Sequence, residues 1–79
     1  MELELEDKLQ AIYHNLIVEV QYIDIRIYEI IVKIEYKGVT YESKIEYKYD
    51  GYLTIDANIS KIISIIDNQI IIPFYKKGE

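Results

Sequence analysis

The sequence predicts an α+β domain in which a helix, an antiparallel sheet of three to four strands, a second helix and a short last strand follow one another (α-β-β-β-α-β). Three observations carry that prediction. An N-terminal run repeats its apolar residues at helical spacing, residues 16 to 36 hold no Gly or Pro and alternate in the manner of strands, and Lys37-Gly38 and Asp50-Gly51 supply turns. Isoleucine and tyrosine dominate the apolar half of the composition, and both fit a pleated, half-buried surface. One domain over residues 1–79 follows, small enough that its core must be dense.

Leu5, Leu9, Ile12, Tyr13 and Leu16 share one helical face and predict a helix over residues 3 to 14, within an acidic segment 1–15. Glu2, Glu4, Glu6 and Asp7 stand at its N-terminal end, where the helix dipole favours negative charge. Strands are expected over 16–55. The alternation there changes phase near Tyr22–Asp24 and again near Ile27–Tyr28, which predicts a bulge or corner at each place. Leu9, Tyr13, Leu16, Val20, Ile23, Ile27, Ile30 and Ile34 also match a heptad seam. Valine, isoleucine and tyrosine lose rotamer freedom in helices, which favours strands over a long coiled coil.

A two-residue turn at Lys37-Gly38 pairs Tyr36 with Val39, Ile34 with Tyr41, Val32 with Ser43, Ile30 with Ile45 and Tyr28 with Tyr47. That register puts the apolar residues of these pairs on one face. The other face pairs Lys33 with Glu42 and, unfavourably, Glu29 with Glu46. In the stretch YKYDGYLTID a three-residue loop Tyr49-Asp50-Gly51, with Gly51 left-handed, pairs Tyr47 with Leu53 and makes Tyr47 core. Asp56 or Asn58 is expected to cap a helix over 56–68 whose Ile59, Ile62, Ile63 and Ile66 share a face, with Asp67-Asn68 as its stop. Ile70-Ile71-Ile72 reads as a short strand within 69–75, ended by Pro73, and 76–79 as a solvated tail.

The totals exclude several chemistries. A formal charge of −5 with a single arginine, Arg26, disfavours direct binding to nucleic acid, and no charge-free stretch approaches the ~20 apolar residues of a membrane span. There is no cysteine, so no disulfide framework or thiolate zinc site forms, and a reducing, intracellular location is expected. His14 is the only histidine, with Gln10 and Val18 at the neighbouring helical turns, so no metal or cofactor site is expected. No glycine-rich loop is available for phosphate, and the serines lack a histidine partner, so an enzyme is not expected.

Tyrosine supplies contact area at low entropic cost. Tyr49 and Tyr52, with Asp50, Glu46 and Asp56, form one expected partner surface, and the acids of the N-terminal helix, Glu2, Glu4, Glu6 and Asp7, form a further candidate. Acidic and aromatic groups together suit a basic partner whose normal ligand is a nucleic acid. A second surface is the isoleucine surplus of Ile23, Ile25, Ile27, Ile70 and Ile72, suited to pairing strand edges with a second copy.

The order of helix, antiparallel strands with Lys37-Gly38 and Asp50-Gly51 turns, and second helix in a small acidic chain resembles some phage-encoded anti-CRISPR proteins over residues 3 to 68. The resemblance lies in order and charge, and no functional residue is carried over from it. It implies a non-enzymatic inhibitor or adaptor of viral or mobile-element type that blocks a basic nucleic-acid-handling protein such as a CRISPR effector. The alternative expectation is a small structural homo-oligomer.

Overall fold

Leu5 and Leu9, one helical turn apart, are fully buried on α1 (Glu2–Ile12), which lies beside the first strand of the sheet. The computed structural model describes residues 1–77, and after α1 come β1 (Ile17–Asp24), β2 (Ile27–Tyr36) and β3 (Val39–Lys48), antiparallel in the order β1-β2-β3. The α+β class and the N-terminal helix, strands and following helix are as the sequence predicts. Ile12, expected on the buried face of α1, is exposed.

Residues 16 to 36 form two strands joined at Ile25-Arg26, not one bent strand and not a helix. The register shifts between Tyr22 and Asp24, as the first phase change predicts, and Arg26 takes a positive φ of 61°. The second phase change, at Ile27–Tyr28, is no further corner. It marks the start of β2 after the turn, because a hairpin reverses the direction of the chain while the core face stays the same.

Lys37 and Gly38 have φ values of 53° and 77°, the two positive angles that a tight hairpin with right-handed twist requires. The β2–β3 register runs from Tyr36 opposite Val39 to Tyr28 opposite Tyr47 as the sequence predicts, and continues to Ile27 opposite Lys48. Val18, Val20, Tyr28, Ile30, Val32, Ile34 and Tyr47 are the buried residues of one sheet face. On the other face Lys33 donates to Glu19 at 2.8 Å.

Among the described residues no fourth strand follows β3. The chain leaves the sheet at Lys48, turns through residues 49–54 and enters α2 (Ile55–Ile66), and Gly51 is not left-handed. The expected loop fails because Asn58 captures the backbone of Asp50 on both sides, as described below. The cap of α2 is Thr54, neither Asp56 nor Asn58: its hydroxyl accepts from the Ala57 N–H at 3.1 Å.

Helix also continues where a stop and a strand are expected. Asp67–Ile71 is a π-helical turn and Ile72–Lys77 is α3, so Ile70-Ile71-Ile72 is helical. The Asn68 side chain, instead of ending the helix, turns back and donates to the Ser64 carbonyl at 2.8 Å. Ile59, Ile62, Ile66 and Ile70 then bury one continuous stripe, which outweighs the β-propensity of an isoleucine run. Pro73 lies in the first turn after the π segment, where the hydrogen-bond ladder has just changed register. The tail expected at 76–79 is helical as far as Lys77, and Gly78 and Glu79 lie outside the described residues.

Candidate functional site

Asn58, fully buried in the first turn and a half of α2, uses its whole hydrogen-bonding capacity. Its Oδ1 accepts from the Tyr47 hydroxyl at 2.6 Å and from the Asp50 N–H at 2.9 Å. Its Nδ2 donates to the carbonyls of Asp50 at 3.0 Å and Thr54 at 2.9 Å. The Asp50 carboxylate accepts in turn from the Tyr52 N–H at 2.9 Å, and the Leu53 N–H donates to the Asp50 carbonyl at 3.2 Å. A loop of mostly exposed residues is thereby held to the core from below.

That loop forms one wall of a cleft of about 330 Å³, lined by Arg26, Tyr47, Lys48, Tyr49, Asp50, Gly51, Tyr52 and Lys61. The β1–β2 turn forms the other. Pairing of Ile27 with Lys48 brings Arg26 alongside, and the Tyr49 N–H donates to the Arg26 carbonyl. The Arg26 guanidinium lies over Gly51, where an added Cβ would meet its Cζ at 3.6 Å. Lys61 approaches Asp50 at 3.9 Å, while among the described residues neither Arg26 nor Lys48 has a carboxylate within ion-pairing distance.

Tyrosine rings back the cleft. Tyr28 meets Tyr22 and Tyr49 edge-on at 5.7 and 6.4 Å, and Tyr52 is 98 % exposed. Burial first, then the charge of Asp50 and the electrostatic influence of the neighbouring Tyr49, raises the Tyr47 phenol above its ordinary pKa. Tyr28 is raised mainly by burial, with Tyr22, Glu2 and Tyr49 adding to it. Both phenols therefore stay neutral across the physiological range.

The sequence expects an acidic surface here, and the structure disperses its members. Tyr49, Asp50 and Tyr52 do come together. Glu46 lies on the open sheet face opposite Glu29, and Asp56 pairs with Lys8 at 3.2 Å. Glu2 and Glu6 have structural partners: their carboxylates accept from the N–H groups of Tyr22 at 2.8 Å and Val20 at 2.9 Å, while Gln10 accepts from Val18 at 3.0 Å. Acceptors four residues apart on α1 thus serve donors two residues apart on β1, since ~6.0 Å of helix matches ~6.8 Å of strand. Glu4 and Asp7 remain exposed.

The isoleucines expected to pair as strand edges do not form one edge. Ile23 and Ile25 are exposed at the β1–β2 hairpin and Ile27 is half-buried, whereas Ile70 is buried on the helical stripe and Ile72 is exposed on α3. Arg26, Lys48 and Lys61 escape notice in the sequence because they are scattered along an acidic chain. The signal that brings them together is the two-residue turn at Ile25-Arg26, which sets Arg26 beside the end of β3.

His14 is exposed, and among the described residues no three His, Cys, Asp or Glu side chains converge as a metal site. Among those residues no helix is long and apolar enough to cross a membrane. No family model matches the chain, and neither the curated proteins nor the solved structures give a match.

Proposed function

We propose that this protein is a non-enzymatic inhibitor or adaptor that binds another protein, taking an acidic segment of that partner into the cleft between Arg26, Lys48 and Lys61. The observation that carries this reading is a pair of cations, Arg26 and Lys48, without carboxylate partners among the described residues, at a cleft rimmed by Tyr49 and Tyr52. Arginine and tyrosine are the residue types that most often anchor protein interfaces. The rigid loop keeps the ordering cost of binding low.

A second reading keeps the basic, nucleic-acid-handling partner suggested by the resemblance to anti-CRISPR inhibitors. It draws support from the net charge of −5 and from the exposed Glu4 and Asp7 on α1, not from a single acidic patch. The lack of cysteine fits a reducing compartment, and the proposed site of action is the cytoplasm.

Titration of isotope-labelled protein with poly-glutamate and, separately, poly-lysine peptides distinguishes the two. The cleft reading expects poly-glutamate to shift the amides of Arg26, Lys61 and residues 48–52, and Arg26→Glu/Lys61→Glu to abolish the response. Shifts confined to α1 on adding poly-lysine, with none from poly-glutamate, would move the assignment to the basic partner. Capture from a host lysate with wild type and with the double variant then identifies a protein whose retention depends on the cleft.

A further inference from the structure

We infer that the outer edge of β3 is a dimerisation edge, on which a second copy of this chain pairs antiparallel about a two-fold axis at Ile45 to give a continuous six-stranded sheet. This goes beyond the proposed partner cleft and does not depend on it; in the dimer Lys48 turns to Glu42 of the second copy, and Arg26 and Lys61 remain as the cations of the cleft.

The two edges of the sheet are treated differently. On the β1 side α1 supplies three side-chain acceptors to the outward N–H groups. On the β3 side, among the described residues, no side chain or loop hydrogen-bonds to the strand's backbone. β3 is ten residues long, with no proline and an unbroken register against β2. An open edge of that length and regularity is a template for another strand.

The tight turn fixes which groups are open. It closes on Tyr36 opposite Val39 as a hydrogen-bonded pair, and bonded pairs alternate thereafter. Tyr41, Ser43, Ile45 and Tyr47 therefore bond to β2, while Glu42, Lys44, Glu46 and Lys48 direct their backbone groups outward.

Charge selects both the occupant and the register. With the axis at Ile45, Lys44 faces Glu46 of the second copy and Glu42 faces its Lys48, and the symmetry repeats each pair. Moving the axis to Lys44 sets Lys44 against itself and Glu42 against Glu46, and moving it to Glu46 sets Glu46 against itself and Lys44 against Lys48. An axis at Ser43 keeps Glu42 opposite Lys44 but leaves Glu46 opposite Thr40. Only the Ile45 axis pairs all four charges with opposite sign. It also brings a lysine next to Glu46, which within one chain faces Glu29.

The inner face of β3 agrees. Tyr41 is 46 % exposed and Ile45 half-buried, because the helices cover β1 and β2 more fully. In the dimer Ile45 meets its symmetry mate and Ser43 lies opposite Tyr47 of the second copy, enlarging that cover.

The test is sedimentation equilibrium on wild type, Lys44→Glu and Lys44→Glu/Glu46→Lys, each checked for native circular dichroism. Wild type is expected to dimerise, Lys44→Glu to weaken the dimer about tenfold or more, and the charge-swapped double variant to recover it to within a few fold. Because the chain has no cysteine, Ile45→Cys provides a second arm. The non-hydrogen-bonded pair on the axis brings Cα atoms to ~4.5 Å, so this variant should oxidise to a covalent dimer while Glu42→Cys does not. A monomer at every concentration, a dimer that Lys44→Glu leaves as tight as wild type, a double variant that stays as weak as Lys44→Glu, or no cross-link at residue 45 would each overturn the inference.

Discussion

Asn58 and Asp50 are joined by a closed pair of hydrogen bonds, the Asn58 Oδ1 accepting from the Asp50 N–H at 2.9 Å and its Nδ2 donating to the Asp50 carbonyl at 3.0 Å. A side-chain amide thus does for the end of β3 what a neighbouring strand would do. It draws the chain off the sheet and into the helix that carries Asn58 itself. The cleft depends on this link, since Tyr49, Asp50 and Tyr52 owe their places to it.

Asn58→Ala is accordingly expected to destabilise the fold by about 2–4 kcal/mol, because the Tyr47 hydroxyl and the Asp50 N–H lose their partner in a buried setting. Tyr47→Phe removes one bond and leaves Asn58 engaged with Asp50, so its cost should be nearer ~1 kcal/mol. Urea unfolding followed by circular dichroism gives both values. A smaller loss for Asn58→Ala than for Tyr47→Phe would contradict the assigned role of Asn58.

Glu6 is expected to matter as a hydrogen-bond acceptor rather than as a charge. Its carboxylate meets the Val20 N–H on the edge of β1. Glu6→Ala should cost about 1–2 kcal/mol and accelerate hydrogen exchange at Val20, while Glu6→Gln, which keeps an acceptor, should lose less than half as much. Glu4→Gln, on the exposed side of α1, is the control and should leave exchange at Val20 unchanged.

How much of this is legible in the sequence depends on whether local chemistry has a single solution. Lys37-Gly38 has one, since a tight hairpin needs two positive φ angles, and the whole β2–β3 register follows from it. The buried stripes of α1 and α2 are likewise visible as spacing. Asn58 is different, because an asparagine near a helix start reads as a cap until the position of Asp50 is known. Glu2, Glu6 and Gln10 repeat every four residues, yet acids at a helix start already have an explanation in the dipole, which conceals their role on β1. Ile70 to Ile72 carry no period at all, and only packing against the sheet decides for helix. The cleft is the least legible feature, for Arg26 meets Lys48 only through the pairing of Ile27 with Lys48, and Lys61 joins them from α2, which Asn58 ties to Asp50.

The helical course of the last segment makes a sharp prediction. A strand would put residues 70 and 72 on one face, whereas the helix buries Ile70 to 6 % exposure and leaves Ile72 at 54 %. Ile70→Lys should therefore cost at least about 3 kcal/mol, and Ile72→Lys should stay within about 0.5 kcal/mol of wild type, as thermal and urea unfolding will record. Equal costs for the two would contradict the helical stripe.

Tyr13 governs the alkaline limit of stability. Its hydroxyl donates to Asp67 at 2.7 Å, tying the end of α1 to the π turn, and burial, then that bond, then the charge of Asp67 raise its pKa well above the ordinary 10.0. The phenol is neutral when protonated, so above pH 10 the folded state holds a proton that the unfolded state has released. Stability is then fully present below that pH and falls as pH rises past it. Tyr28 and Tyr47, also raised by burial, act in the same direction. Tyr13→Phe should lower stability at neutral pH by about 1 kcal/mol through the lost hydrogen bond, yet show a shallower decline between pH 10 and pH 12. Urea midpoints measured for both proteins across that interval test the point. Parallel declines would mean that Tyr13 ionises as readily in the folded chain as in the unfolded one.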